Sequence, residues 1–295
     1  MVVRRLAGNP IIRPHMDERM GANINGPSLL RVPDWVESPL GKYYLYFAHH
    51  SGKYIRLAYA DRLEGPWTVY TPGTLQLEQT GFDGHVASPD VHVDEENRRI
   101  VMYYHAAFNP GKPKQVTQVA FSMDGIHFET DRKILGKAYW RVFRWQGRLH
   151  AIAKPGKLFR ATSPGAWDDF EEGPQIFPEV EGGPSLRHLA LDLRGETLWV
   201  YYSRIGDCPE RILRSPVRLA TDWRAWVPGE PEEVLAPETP WEGGDLALEP
   251  SRGGQVHVPV RQLRDPAIYR EGERTYLLYS VAGERGIAIA EIEGG

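Results

Sequence analysis

The chain has 295 residues, 41% hydrophobic and 25% charged, with a formal net charge of -4. That balance gives no electrostatic reason to expect nucleic acid or an anionic membrane as partner, and no stretch approaches the ~20 apolar residues of a membrane helix. The single cysteine, Cys208, excludes an intrachain disulfide and fits a reducing compartment. Behind Arg4 and Arg5 there is no apolar run of signal-peptide length, so the expected location is the cytoplasm.

Helical periodicity is nearly absent, and 24 Pro with 30 Gly suit many short strands joined by turns. Five similar passages succeed one another. The first runs through Gly26-Pro27-Ser28-Leu29-Leu30, the aromatic stretch Tyr43 to His49, then Ile55 to Ala60, and closes on Gly65-Pro66-Trp67. The second has Ser88-Pro89-Asp90-Val91, then Arg99 to His105, then Thr117 to Ser122. The third is shorter: Tyr139 to Phe143, Gly147 to Lys154, Leu158 to Ser163. The fourth has Arg187 to Leu191, Leu198 to Arg204 and Ile212 to Ser215; the fifth has Arg264-Asp265-Pro266-Ala267-Ile268, Thr275 to Ser280 and Gly286 to Ala290. Weak fourth strands are expected after Trp67, Phe128, Trp167 and Trp223.

An all-β unit of this length, repeated, is the signature of propeller blades. The sequence therefore predicts an all-β, five-bladed β-propeller in one domain, residues 1–295. The blades span approximately 23–80, 85–135, 138–175, 185–230 and 262–293, and no linker divides them. The segment from Gly8 to Ile12 is expected to pair with the last blade and close the ring, removing an open edge. The competing architecture is a β-sandwich with Tyr-rich strands.

In a propeller the first strand of each blade lines the channel, so the strand beginnings converge on one opening. Aligning the copies places Asn25, Asp90, Arg141, His188 and Asp265 there, with Arg187 and Arg264 beside them. The second strands end near the same opening, at His49, His50, His105, Lys154, Ser203, Arg204 and Ser280. These positions are homologous but their residues are not repeated, and a broken pattern of ionisable residues points to function. Asp90 and Asp265 each open an otherwise apolar strand, where a carboxylate is costly unless bonded or facing a wet pocket; turn capping is the bland alternative. Two further carboxylates, Glu181 and Glu242, stand in Gly-rich loops that lead back to first strands, where solvated loop charge is the alternative. No two histidines have zinc-site spacing. Of Trp35, Tyr139, Trp140 and Trp241, one or two are expected to stack on a ligand, and the rest belong to the core.

The opening Asn9-Pro10-Ile11-Ile12, the Ser88-Pro89-Asp90-Val91 strand and the Arg264-Asp265-Pro266-Ala267 strand resemble the five-bladed propeller glycoside hydrolases of the family 43 type and its relatives, such as the family 117 type. The resemblance implies three carboxylates from different blades, serving as general base, pKa modulator and general acid. It carries the modulator onto Asp90. It finds Asn25-Gly26-Pro27 where the family has its first-blade Asp, so the base is missing there. Glu181-Gly182-Gly183-Pro184 is close to the context of the family's acid, with His188 as the rival. Inverting hydrolysis needs acid and base on opposite faces of the sugar, roughly 6.5–9.5 Å apart. The implied activity is hydrolysis of an oligosaccharide or glycoside, with Asp90, Asp265, Glu181 and His188 as catalytic candidates. Asn25, His49, His105, Arg141, Lys154, Arg187, Arg204, Glu242 and Arg264 are the expected substrate contacts. A channel calcium is compatible with some relatives, though no ligand spacing demands it. The alternatives are a non-catalytic carbohydrate-binding propeller, or a phosphorylase in which Arg141 and Lys154 hold phosphate.

Overall fold

The computed structural model describes residues 1–108, 115–178, 181 and 183–294. They form the five-bladed β-propeller that the repeats predict, with one antiparallel sheet per blade. The innermost strands are Asn25–Arg31, His85–Asp94, Arg141–Trp145, Ser185–Arg194 and Arg264–Glu271. Each pairs with the second strand of its own sheet.

Second strands read as continuous apolar runs because each sheet is covered on both faces. Tyr43–Ala48 is buried at every position. Alternation along it splits the side chains between two neighbours. Tyr44 and Tyr46 pack on blade two with Met102 and Tyr104. Tyr43, Leu45 and Phe47 pack on blade five with Tyr276 and Leu278. Three further apolar layers fill the gaps between blades two and three, three and four, and four and five. The core is thus five slabs between sheets arranged around an axis.

The ring closes differently from expectation. Its outer strand in blade five is Val2–Arg5, paired from Val2↔Glu293 to Arg5↔Ala290. The segment from Gly8 to Ile12 adds one bridge, Ile12↔Ile287. Asn9 also brackets Ile289, donating to its carbonyl at 2.8 Å and accepting from its N–H at 2.9 Å. Pro10 lacks an N–H, so this segment makes a poor ladder, whereas Val2–Arg5 is Pro-free.

In four of the five blades the innermost strand bulges soon after it begins. The register jumps between Asn25 and Ser28, Ala87 and Asp90, Leu186 and Leu189, and Arg264 and Ala267. A bulge rotates the remainder of its strand, so these residues do not share one height in the channel. No helix among the described residues is long and apolar enough to cross a membrane.

Candidate active site

Strand-one beginnings, strand-two ends and the hairpins between strands two and three all lie on one edge of the ring, the channel mouth. There His188 Nδ1 lies against Asp265 Oδ1, joining blade four to blade five. The other Asp265 oxygen accepts from Ser280 Oγ at 3.1 Å. Asp265 is 1% exposed and has φ +49°, so the bulge turns its carboxylate toward its neighbour. Burial, then the positive charges of Lys154, Arg187 and Arg141, hold His188 well below the ordinary histidine value. An imidazole fixed at Nδ1 by a carboxylate keeps Nε2 for proton transfer.

Beside this pair runs a network of arginines and carboxylates. Arg187 donates to Glu210 at 2.7 Å, and Ser203 Oγ donates to the same Glu210 oxygen at 2.7 Å. Arg264 spans Glu284 at 3.0 Å and Glu210 at 3.4 Å. His50 Nδ1 lies 3.2 Å from Glu284, whose other oxygen accepts from Asn23. Burial acts to raise the Glu284 pKa, but His50, Arg264 and Asn23 outweigh it and hold it below the usual carboxylate value. Asn25 reaches this network through Asn23, at 3.2 Å.

The opposite side is aromatic and basic. His85 and His105 meet at their Nε2 atoms, 3.0 Å apart. Tyr139 is sandwiched between His105 and His188, with ring centroids at 4.4 and 4.3 Å, and Lys154 Nζ is 5.5 Å from its centroid. Burial lowers His49 and His85 to about 4 and His105 well below its ordinary value. It also pushes the Tyr139 hydroxyl up to about 12. Tyr139 has φ +65°, an outlier for a bulky residue, and of the four aromatic candidates it is the one in this cluster. Trp140 is 1% exposed in the layer between blades two and three.

Several candidates stand elsewhere. Asp90 lies past the bulge, lower in the channel than Asp265. Its Oδ2 accepts from Val142 N–H at 2.8 Å and contacts His92 Nε2 at 2.7 Å. Ser28, at the equivalent position in blade one, accepts Val91 N–H at 2.9 Å, so both side chains latch one blade to the next. Burial would raise the Asp90 pKa, yet His92, Arg141 and the Val142 N–H hold it below the ordinary value. Glu242 is fully buried and spent within the fold. It takes two bonds from Arg5, one from Tyr279 and the backbone N–H groups of Glu238 and Thr239. Arg204 pairs with Asp207 at 3.2 Å and lines a separate crevice of about 350 Å³ with Phe177 and Tyr202. Glu181 is exposed in the turn before blade four.

Glu210, Glu284, Asn23 and His85 are absent from the sequence expectations. The available signal for the two glutamates is shared: each comes just after the end of a second strand, in Cys208-Pro209-Glu210 and Ala282-Gly283-Glu284. Among the described residues no group of three His, Cys, Asp or Glu side chains could hold a metal ion, and the Arg141 guanidinium lines the cavity on the axis.

No family model matches the chain. It is 37% identical over 323 residues to the uncharacterized protein R118 of Acanthamoeba polyphaga mimivirus, covering 99% of this chain and 90% of that protein. Among solved structures it resembles a family-43 β-xylosidase/α-arabinofuranosidase from a compost microbial metagenome, in complex with xylotriose. The TM-score is 0.67 at 12% identity, covering 100% of this chain and 96% of that one. A family-43 enzyme of Xanthomonas citri complexed with xylotriose gives 0.65 at 12% identity, covering 97% and 90%. The α-L-arabinanase of Cellvibrio cellulosa complexed with arabinohexaose gives 0.54 at 13% identity, covering 90% and 91%. These likenesses establish a shared fold.

Proposed function

Because the chain belongs to one family with the mimiviral protein R118 and folds as the family-43 glycoside hydrolases do, we propose that it hydrolyses a glycoside at the channel mouth, with inversion. The observation that carries this reading is the His188–Asp265 pair, which joins blade four to blade five at the channel mouth. Asp265 orients the imidazole, and Nε2 takes a proton from water as the water oxygen bonds to the anomeric carbon. The bond from that carbon to the leaving oxygen breaks, and the leaving oxygen needs a proton from the opposite face. We assign that proton to Glu181, whose exposed turn borders the blade that carries His188. The pair thus supplies the base that blade one lacks at Gly26.

One observation favours a second reading, a sugar-binding propeller without catalysis. Glu210 and Glu284 are both engaged by arginines, and blade one offers glycine where blade five has Asp265. A panel of aryl pyranosides and furanosides, assayed with wild type, His188→Gln and Asp265→Asn, separates the two. Turnover that both variants abolish supports hydrolysis. Saturable binding of an oligosaccharide with no product supports the binding module, and turnover that survives both variants refutes the assignment of the pair. Phosphate-dependent turnover in the same panel would identify a phosphorylase.

A further inference from the structure

Beneath the mouth the axis holds a small cavity of about 130 Å³, lined from all five blades by Ser28, Asp90, His92, Arg141, Ala190 and Ala267 among others. Its ionisable content is one carboxylate, one imidazole and one guanidinium. Arg141 is 6% exposed. Its Nη1 donates to the carbonyls of Pro89 at 3.3 Å and Trp140 at 3.1 Å, and its Nε is 4.0 Å from Asp90 Oδ1. We propose that this guanidinium is the axial cation of the ring, a charge built into blade three that stands where a metal ion would otherwise sit and sets the field beneath His188 and His105.

Two arguments carry it. Calcium takes six to eight oxygen ligands, whereas the side chains of this cavity offer the Ser28 hydroxyl and one carboxylate, whose Oδ2 is engaged by His92 and the Val142 N–H and whose Oδ1 faces Arg141 Nε at 4.0 Å. A divalent ion there would also lie close to a buried guanidinium, where little water screens the repulsion, and that guanidinium does not deprotonate. The charge acts upward too. Arg141 contributes, after burial, to the lowered pKa values of both His105 and His188. His188 is faced as well by Lys154 from blade three, by Arg187 beside it, by His105 and Tyr139, and by Asp265 from blade five. Arg141 is therefore one of several charges that act on the imidazole.

The test has two arms, neither of which needs glycosidase activity. Wild-type protein is titrated calorimetrically with calcium chloride and melted with EDTA or added calcium. No binding heat and an unmoved Tm are expected; stoichiometric binding, or a Tm that falls in EDTA, overturns the proposal. The His188 imidazole is then titrated by NMR in wild type, Arg141→Lys and Arg141→Met. Its midpoint should stay put in the lysine variant and rise in the methionine variant. Equal midpoints in all three refute the electrostatic role. Should Arg141→Met fail to fold, the wild-type calcium arm still decides whether the site takes a metal.

Discussion

Blades one and five begin on the same backbone and carry opposite contents. In both, the innermost strand bulges after its first pairing, and the residue before Pro27 or Pro266 is left-handed, with φ +61° at Gly26 and +49° at Asp265. Glycine takes that conformation freely, and aspartate is among the few other residues that tolerate it. A Cβ at Gly26 would come within 3.3 Å of Ser88 Cα, so blade one keeps the position empty. Blade five fills it, at the cost of some backbone strain, with the carboxylate that meets His188. Blade two stands between them, with Ser88 at φ +50°. The ring repeats a scaffold, and its chemistry varies by substitution at one bulged position, where strain and function coincide.

Emptying the blade-five position tests this contrast most severely. Asp265→Gly should lower kcat/KM on a turned-over aryl glycoside by about 10³-fold. Differential scanning calorimetry should meanwhile show a net loss of about 1–2 kcal/mol, because Ser280 and the buried His188 lose their carboxylate and relief of left-handed strain offsets only part of that. Undiminished turnover would show that the carboxylate is not part of the reacting pair.

The next effect concerns the histidines around the mouth. His49 and His85 titrate at about 4 in the fold and His105 well below its ordinary value, each chiefly through burial. The unfolded chain therefore takes up protons first, near pH 6.5. Stability is complete above that value and declines as pH falls toward 4, by roughly 1.4 kcal/mol per pH unit for each fully buried group. Urea unfolding at pH 7 and pH 5 should differ by at least about 2 kcal/mol; equal free energies would mean that these imidazoles charge freely.

The two latches allow a finer comparison. Asp90→Ala strands His92 and Arg141 without their carboxylate and should cost about 2–4 kcal/mol, against about 1 kcal/mol for Ser28→Ala. Denaturant midpoints give the order, and the reverse order would assign Asp90 a role outside the scaffold. The smallest effect is Gly26→Ala, about 1 kcal/mol of destabilisation from the left-handed φ and the near contact, read from the shift in Tm.

The fold was legible because it rests on patterns the chain writes five times, apolar second strands and Pro-marked first strands, which a sheet buried on both faces demands. The site was legible only in part. Asn25, Asp90, His188 and Asp265 look equivalent along the sequence, but the pairing register sets them at successive positions across the bulge. A shift of one residue turns a side chain to the other face, and nothing in the residue types announces the bulge. Glu242 looked like a loop charge because its partner, Arg5, lies 237 residues away. Glu210 and Glu284 went unseen for a different reason: each sits in the connection after a second strand, and the antiparallel pairing of its own blade brings Arg187 to Glu210 and Arg264 to Glu284.

Blade five is made from the two ends of the chain, Val2–Arg5 lying beside Ile287–Glu293. During synthesis, blade one can pair its own strands early, but the Val2–Arg5 strand must wait for nearly the whole chain to emerge. Until then both flanks of the growing array expose apolar sheet faces, and the final step has the longest loop to close. Asp265 and its partner His188 come from the last two blades, so the mouth takes its final form only as the ring seals.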